Sequence, residues 1–133
     1  LVEAKSGAVT INADATPTIT TIGVAIAVGT LAAAGGLAED TVTRDVNAGI
    51  DGGEVIGSGL VDIDAGATIT SDPVVVAVAI GLAAVSFMYA RTTIDGATDA
   101  FLKGAGTVVR GTGLDVDATD DIDATPVVVV VAD

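Results

Sequence analysis

The chain is 133 residues long, half of them apolar, with 18 acidic side chains against 5 basic ones and a formal net charge of −13. It contains no Cys and no His, which excludes disulfides, thiolate and imidazole catalysis and Cys- or His-based metal centres; the acidity would repel a phosphate backbone, which argues against nucleic acid as a partner. With two Phe, one Tyr and no Trp, a core must come from Val, Ile, Leu and Ala, and 17 Gly with many β-branched residues favour strands joined by tight turns.

Taken in chain order, the first element is a short strand, Ser6-Gly-Ala-Val-Thr-Ile-Asn-Ala13, which returns as Ser58-Gly-Leu-Val-Asp-Ile-Asp-Ala65 and again as Thr112-Gly-Leu-Asp-Val-Asp-Ala118. The alternation puts Val61, Ile63 and Ala65 inward and Asp62 and Asp64 in water. A proline follows each opener (Pro17, Pro73, Pro126) and leads into a β-branched run. The first run, Ile22 to Gly29, and the second, Val76 to Ala83, alternate large and small residues at every position, a period of two that prescribes strands and would give a helix no apolar stripe. The expectation is that the bulky faces (Ile22, Val24, Ile26, Val28; Val76, Val78, Ile80, Leu82) fill the interior. The small faces, Ala25, Ala27, Ala77, Ala79 and Gly81 among them, would then meet another layer or protomer as an assembly interface.

Near Ala83-Ala84 the phase of the large residues slips by one, which predicts a bulge or corner there and at Thr30-Leu31. More polar strands follow at Thr41 to Ile50 and Arg91 to Leu102, then glycine turns at Asp51-Gly52-Gly53 and Lys103-Gly104-Ala105-Gly106, then short strands at Val55-Ile56 and Val108-Val109. The third copy stops in Val127 to Val131, so Val127, Val129 and Val131 join the expected assembly interface. The reading is one repetitive β domain over 1–133, with repeats at 6–57 and 58–111 and a partial one at 112–133. That is about two and a half repeats of roughly 53 residues, in the range of solenoids. A chain that opens on Leu1 and stops inside a Val run is expected to be a processed subunit or a segment of a longer array.

The "VxIxA" strand, the Thr-Pro step, the Gly/Ala/Val run, the Thr-x-Ala-x-Ile-x-Gly-Gly type of segment and the Gly-Ser-Gly turn together resemble the repeat regions of large secreted bacterial adhesins, the leukotoxin-like and filamentous-haemagglutinin-like proteins. The resemblance covers nearly the whole chain and implies an all-β fold, a parallel β-solenoid or related stacked-sheet array, in a fibre at the cell surface or outside the cell. One or two coils per repeat both fit.

The remaining candidates are carboxylates. Asp62 with Asp64 and Asp115 with Asp117 sit two apart on one side of a strand; stacking such rows brings like charges together, and calcium would relieve the repulsion. Neither an EF-hand nor a calcium nonapeptide is spelled out, and the glycine pairs lack the third Gly or the Gly-Lys-Ser/Thr of a phosphate loop. The favoured function is therefore structural and non-enzymatic, with the chain as its own partner in a head-to-tail homopolymer. Two other readings compete. One is a membrane protein crossing with 22–38 and 74–90, which carry no charge; the other is a glycan hydrolase built on paired Asp.

Overall fold

The computed structural model describes all residues from Leu1 to Asp133 and contains strands but no helix. In chain order they are β1 (Val2–Ala4), β2 (Val9–Ala15), β3 (Thr18–Ile19), β4 (Ile22–Val28), β5 (Leu31–Asp51), β6 (Glu54–Gly57), β7 (Leu60–Ser71), β8 (Val74–Ile80), β9 (Ala83–Lys103), β10 (Val108–Arg110), β11 (Gly113–Ala124) and β12 (Val127–Ala132). They form four sheets: β1-β6-β10, β2-β7-β11 with β3 also on β7, β4-β8-β12, and β5-β9.

Pairing follows the sequence repeat. Val9 to Ala15 lie beside Val61 to Ala67, Ile22 to Val28 beside Val74 to Ile80, and Val74 to Ala79 beside Val127 to Ala132, all parallel. Val55 sits between Val2 and Val109. Each strand thus pairs with its own counterpart one whole repeat away. Because like residues meet in register, every outward or inward choice made in one row is copied in the next.

The chain divides into two compact units, each drawing a segment from every repeat. The first comprises Leu1–Thr16, Arg44–Thr68 and Gly96–Asp121. Its core is made of full-sized aliphatics, with Val61, Ile63 and Ala65 on β7 fully buried against Val46, Ala48 and Ile50 of β5 and Val55 of β6. Asp62 and Asp64 alternate with them on the other face and are half-buried, as period-two alternation requires. Burial of each Val or Ile here is worth about 1.5–3 kcal/mol. The turn between β5 and β6 is made by Gly52 and Gly53 at φ of 74° and 90°, a region where a side chain would be strained.

The second unit comprises Pro17–Thr43, Ile69–Asp95 and Ile122–Asp133. Its core is built from alanine: Ala77 and Ala79 of β8 lie against Ala32 and Ala34 of β5, with Ala25, Ala27, Ala84 and Met88 around them. Here the orientation of the alternating strands is the reverse of the expected one. The small faces point inward, and Ile22, Val24, Ile26 and Val28 of β4 are exposed, as is Ile80 of β8. The cause is the closeness of the two layers. A Cβ at Gly23 would stand 2.9 Å from the Leu37 carbonyl oxygen, and one at Gly36 would stand 2.5 Å from Val75 Cγ1, so the gap admits nothing bulkier than what fills it. The corner implied by the phase slip is present as the bends at Gly29-Thr30 and Gly81-Leu82. Rather than returning large residues to the interior, it keeps them outside on both sides of the bend, since Leu31, Val85 and Phe87 are exposed as well.

Candidate functional site

The acidic face lies in the first unit. Asp62 and Asp64 project from β7, Asp115 and Asp117 are exposed on the neighbouring β11, and on the other side the register partners of Asp62 and Asp64 are the neutral Thr10 and Asn12. On the β2 side, therefore, neither Asp62 nor Asp64 has an acidic partner, and the other acid-bearing strand of the sheet is β11. Asn12 Nδ2 donates to Asp14 Oδ2 at 2.9 Å, capping one further carboxylate. Nowhere do three or more acidic side chains converge as a metal shell would require. What these strands offer a cation is carboxylates spaced two residues apart along β7 and along β11 on an open sheet face.

The expected assembly residues divide into two groups. Ala77 and Ala79 are fully buried, Ala25 and Ala27 are packed on the same alanine core, and Gly81 sits in the bend where a Cβ would collide with the Gly29 carbonyl oxygen. Their small size serves contact between the layers of one chain, not an outer interface. Val127, Val129 and Val131 are exposed on β12 and continue the rows of Val74, Val76 and Val78.

Two polar stations inside the units escaped the reading of the sequence. In the second unit Asp40 is only 1% exposed. Its Oδ1 accepts from the Thr21 hydroxyl and its Oδ2 from Ser71 Oγ at 2.8 Å; Ser71 Oγ is in turn 3.0 Å from Thr92 Oγ1. In the first unit the nearly buried guanidinium of Arg44 donates to Thr98 Oγ1 at 2.9 Å and to Asp120 Oδ1 at 2.5 Å, while its Nε has no partner. Parity could have found both, because Ala32, Ala34, Ala38, Val42 and Val46 mark the inward side of β5, and Asp40 and Arg44 share it.

Three of the other four basic side chains sit outside and link successive rows: Arg91 to Glu39 at 3.8 Å, Lys103 to Asp51 at 3.6 Å and Arg110 to Glu54 at 3.9 Å. The first two pairs are separated by one repeat and hold β9 alongside β5 at the common step. Around the bend of the second unit lies an open recess of about 470 Å³, lined by Val28, Ile80, Leu82 and the turn residues, with Asp133 as its one acidic residue. A single acid on an apolar lining supplies no acid/base pair.

The segments 22–38 and 74–90 are each strands joined by a bend, and no helix is long and apolar enough to cross a membrane. No family model, no curated protein and no solved structure matches the chain.

Proposed function

We propose that the chain is a structural segment of an extracellular bacterial filament, sheath or adhesin stalk, a β-solenoid whose repeat is its stacking step. The observation that carries this reading is the register. Val2, Val55 and Val109 stand in one row, and Ile22, Val74 and Val127 in another, each a repeat from the next. An arrangement that adds one row per repeat has no internal reason to stop, and its ends are sheet edges with free backbone groups.

Growth would begin at a definite place. Two of the four sheets hold three strands, a third holds four because β3 also lies on β7, and the β5-β9 sheet holds only two, so the strand to be added next lies along β9. It would come from a second copy or from more chain of the same kind. Surface ion pairs between rows, each worth under about 1 kcal/mol, would favour the correct register more than they stabilise it.

Negative-stain electron microscopy of the purified chain tests the reading. Unbranched filaments that lengthen with protein concentration are expected. Particles that stay monodisperse across the soluble concentration range, with a β circular dichroism spectrum, would overturn it.

A further inference from the structure

We propose that the open side of β9 in the second unit is a strand-acceptor site, which takes one extended peptide of the β5 type and not a second folded copy. The inference rests on the row-per-repeat stacking proposed above and narrows what is added at its open side. β9 has β5 on one side and no strand on the other. Ala83 N donates to Thr30 O at 3.2 Å, so the odd-numbered residues of this stretch bond back to β5. By the alternation of a parallel ladder, the backbone groups of Ala84, Ser86, Met88 and Ala90 then point to the open side. In the facing layer Val128 and Val130 of β12 are half-exposed, although their counterparts one row back, Val75 and Ala77, are fully buried. An added β-strand satisfies both needs, pairing the free amides and carbonyls and covering the aliphatic side chains.

Row counting sets the folded copy aside. The facing layer holds three rows, β4, β8 and β12, and the β5-β9 layer holds two. A second copy whose β4 paired with β12 would set its β5 two strand spacings, about 9.6 Å, from β9, too far for a hydrogen bond. One whose β5 paired with β9 would drive its β4 into β12. A single strand enters the row without either conflict. Its residues are prescribed as well. The inward positions of the facing layer enlarge from Gly23 and Ala25 to Val75 and Ala77 and then to Val128 and Val130, and β5 meets Val75 with Gly36, which has no room for a Cβ. The added strand therefore carries Ala or Gly at every second position, as β5 does with Ala32, Ala34, Gly36 and Ala38. On the outward side the stretch 83–90 has no charge and ends at Arg91, which lies 3.8 Å from Glu39 of β5. An acid at the Glu39 position of the incoming strand would flank the same guanidinium from its other side.

The probe is a blocked peptide with the sequence of residues 31–39, Leu-Ala-Ala-Ala-Gly-Gly-Leu-Ala-Glu, labelled with a fluorophore at its C-terminus and titrated with the monodisperse 133-residue chain. Anisotropy should show saturable one-to-one binding, and hydrogen exchange should slow at the amides of Ala84, Ser86, Met88 and Ala90. N-methylation of the peptide at Ala33 and Leu37, whose amides face β9, should weaken binding about tenfold or more, whereas N-methylation at Ala34 and Ala38, whose amides face away, should cost less than about threefold. Gly36→Leu in the peptide should also cost at least tenfold. Arg91→Glu in the chain should weaken binding about threefold, and a Glu39→Lys peptide should recover it. Absence of binding overturns the inference. So does binding that the two N-methylated peptides share equally, because the peptide would then lie on an apolar surface without pairing. Filaments from a chain that does not bind the peptide would leave the stacking reading standing and remove this one; a chain that binds the peptide and never forms filaments would do the reverse.

Discussion

Val75 Cγ1 lies against Gly36, at a point where a Cβ on the glycine would stand only 2.5 Å away. This contact, more than any hydrophobic pattern, decides which face of the alternating strands is inside. Gly36→Ala should push Val75 or shift β5 and cost about 1–3 kcal/mol by overpacking. Ala33→Val, on the exposed side of the same strand, should change stability by less than about 0.5 kcal/mol. Chemical denaturation of the two variants checks the pair; equal effects would mean that the layers are not held at this spacing.

The strands, their parallel pairing at the repeat step and the first unit's core were legible in the sequence, because alternation and repetition act locally and Asp beside Ile63 leaves no choice of face. The second unit defeated the same logic, since Ile22 to Val28 offers two apolar faces and no polar one. With both faces able to leave water, size complementarity to the opposite strand decides, and that depends on Gly36 and Ala34, which pattern alone does not match to Gly23 and Ala77. The outward aliphatic surface was hidden for the same reason. Asp40 and Arg44 were hidden differently, by the habit of assigning charge to the water side.

Asp40 depends on hydroxyls for its hydrogen bonds. Ser71→Ala removes the donor to Oδ2 and leaves a buried carboxylate oxygen unpaired, a loss of about 1–3 kcal/mol. Ser71→Thr, which keeps the hydroxyl, should retain more of the stability than Ser71→Ala does. Melting temperatures of both variants decide it, and a Ser71→Ala protein as stable as the parent would show that the Thr21 bond suffices.

Arg44 and Asp120 should couple more strongly than any surface pair. Breaking a fully buried pair costs about 3–5 kcal/mol, but Asp120 is partly open to water, which lowers the expected loss for Asp120→Ala to about 1–2 kcal/mol. Lys103→Ala, which breaks an exposed pair, should cost under about 1 kcal/mol. A double-mutant cycle with Arg44→Met isolates the coupling; a coupling no larger than that of Lys103 with Asp51 would place Arg44 outside any organising role.

Calcium, if it binds, does so through the β7 and β11 carboxylates. Millimolar calcium should raise the melting temperature and chelator should reverse it, with Asp64→Asn plus Asp117→Asn reducing the response. A response that survives the double substitution would move the ion elsewhere; melting unaffected by either calcium or chelator would remove it altogether.

The last prediction concerns the edge made by β12. Val128 and Val130 face the same way as the buried Val75 and Ala77, yet they are 49% and 53% exposed, because no strand beyond β9 lies opposite them. Those side chains and the free backbone groups of β12 form a template for further pairing. Deleting Val127 to Asp133 would remove the bonds from Val127 N to Pro73 O and from Gly81 N to Asp133 O, uncover β8, and leave the pairing of β4 with β8 intact. The shortened chain should keep its β spectrum and form filaments that are fewer and shorter at equal concentration, measured by light scattering and microscopy together. Replacing Val128 and Val130 by Thr is the gentler version: it keeps β-branched strand formers and lowers the drive to cover them, and it should slow elongation without shifting the melting temperature by more than a few degrees. If both variants elongate like the parent, growth does not proceed through this edge, and a lateral contact would have to carry the assembly.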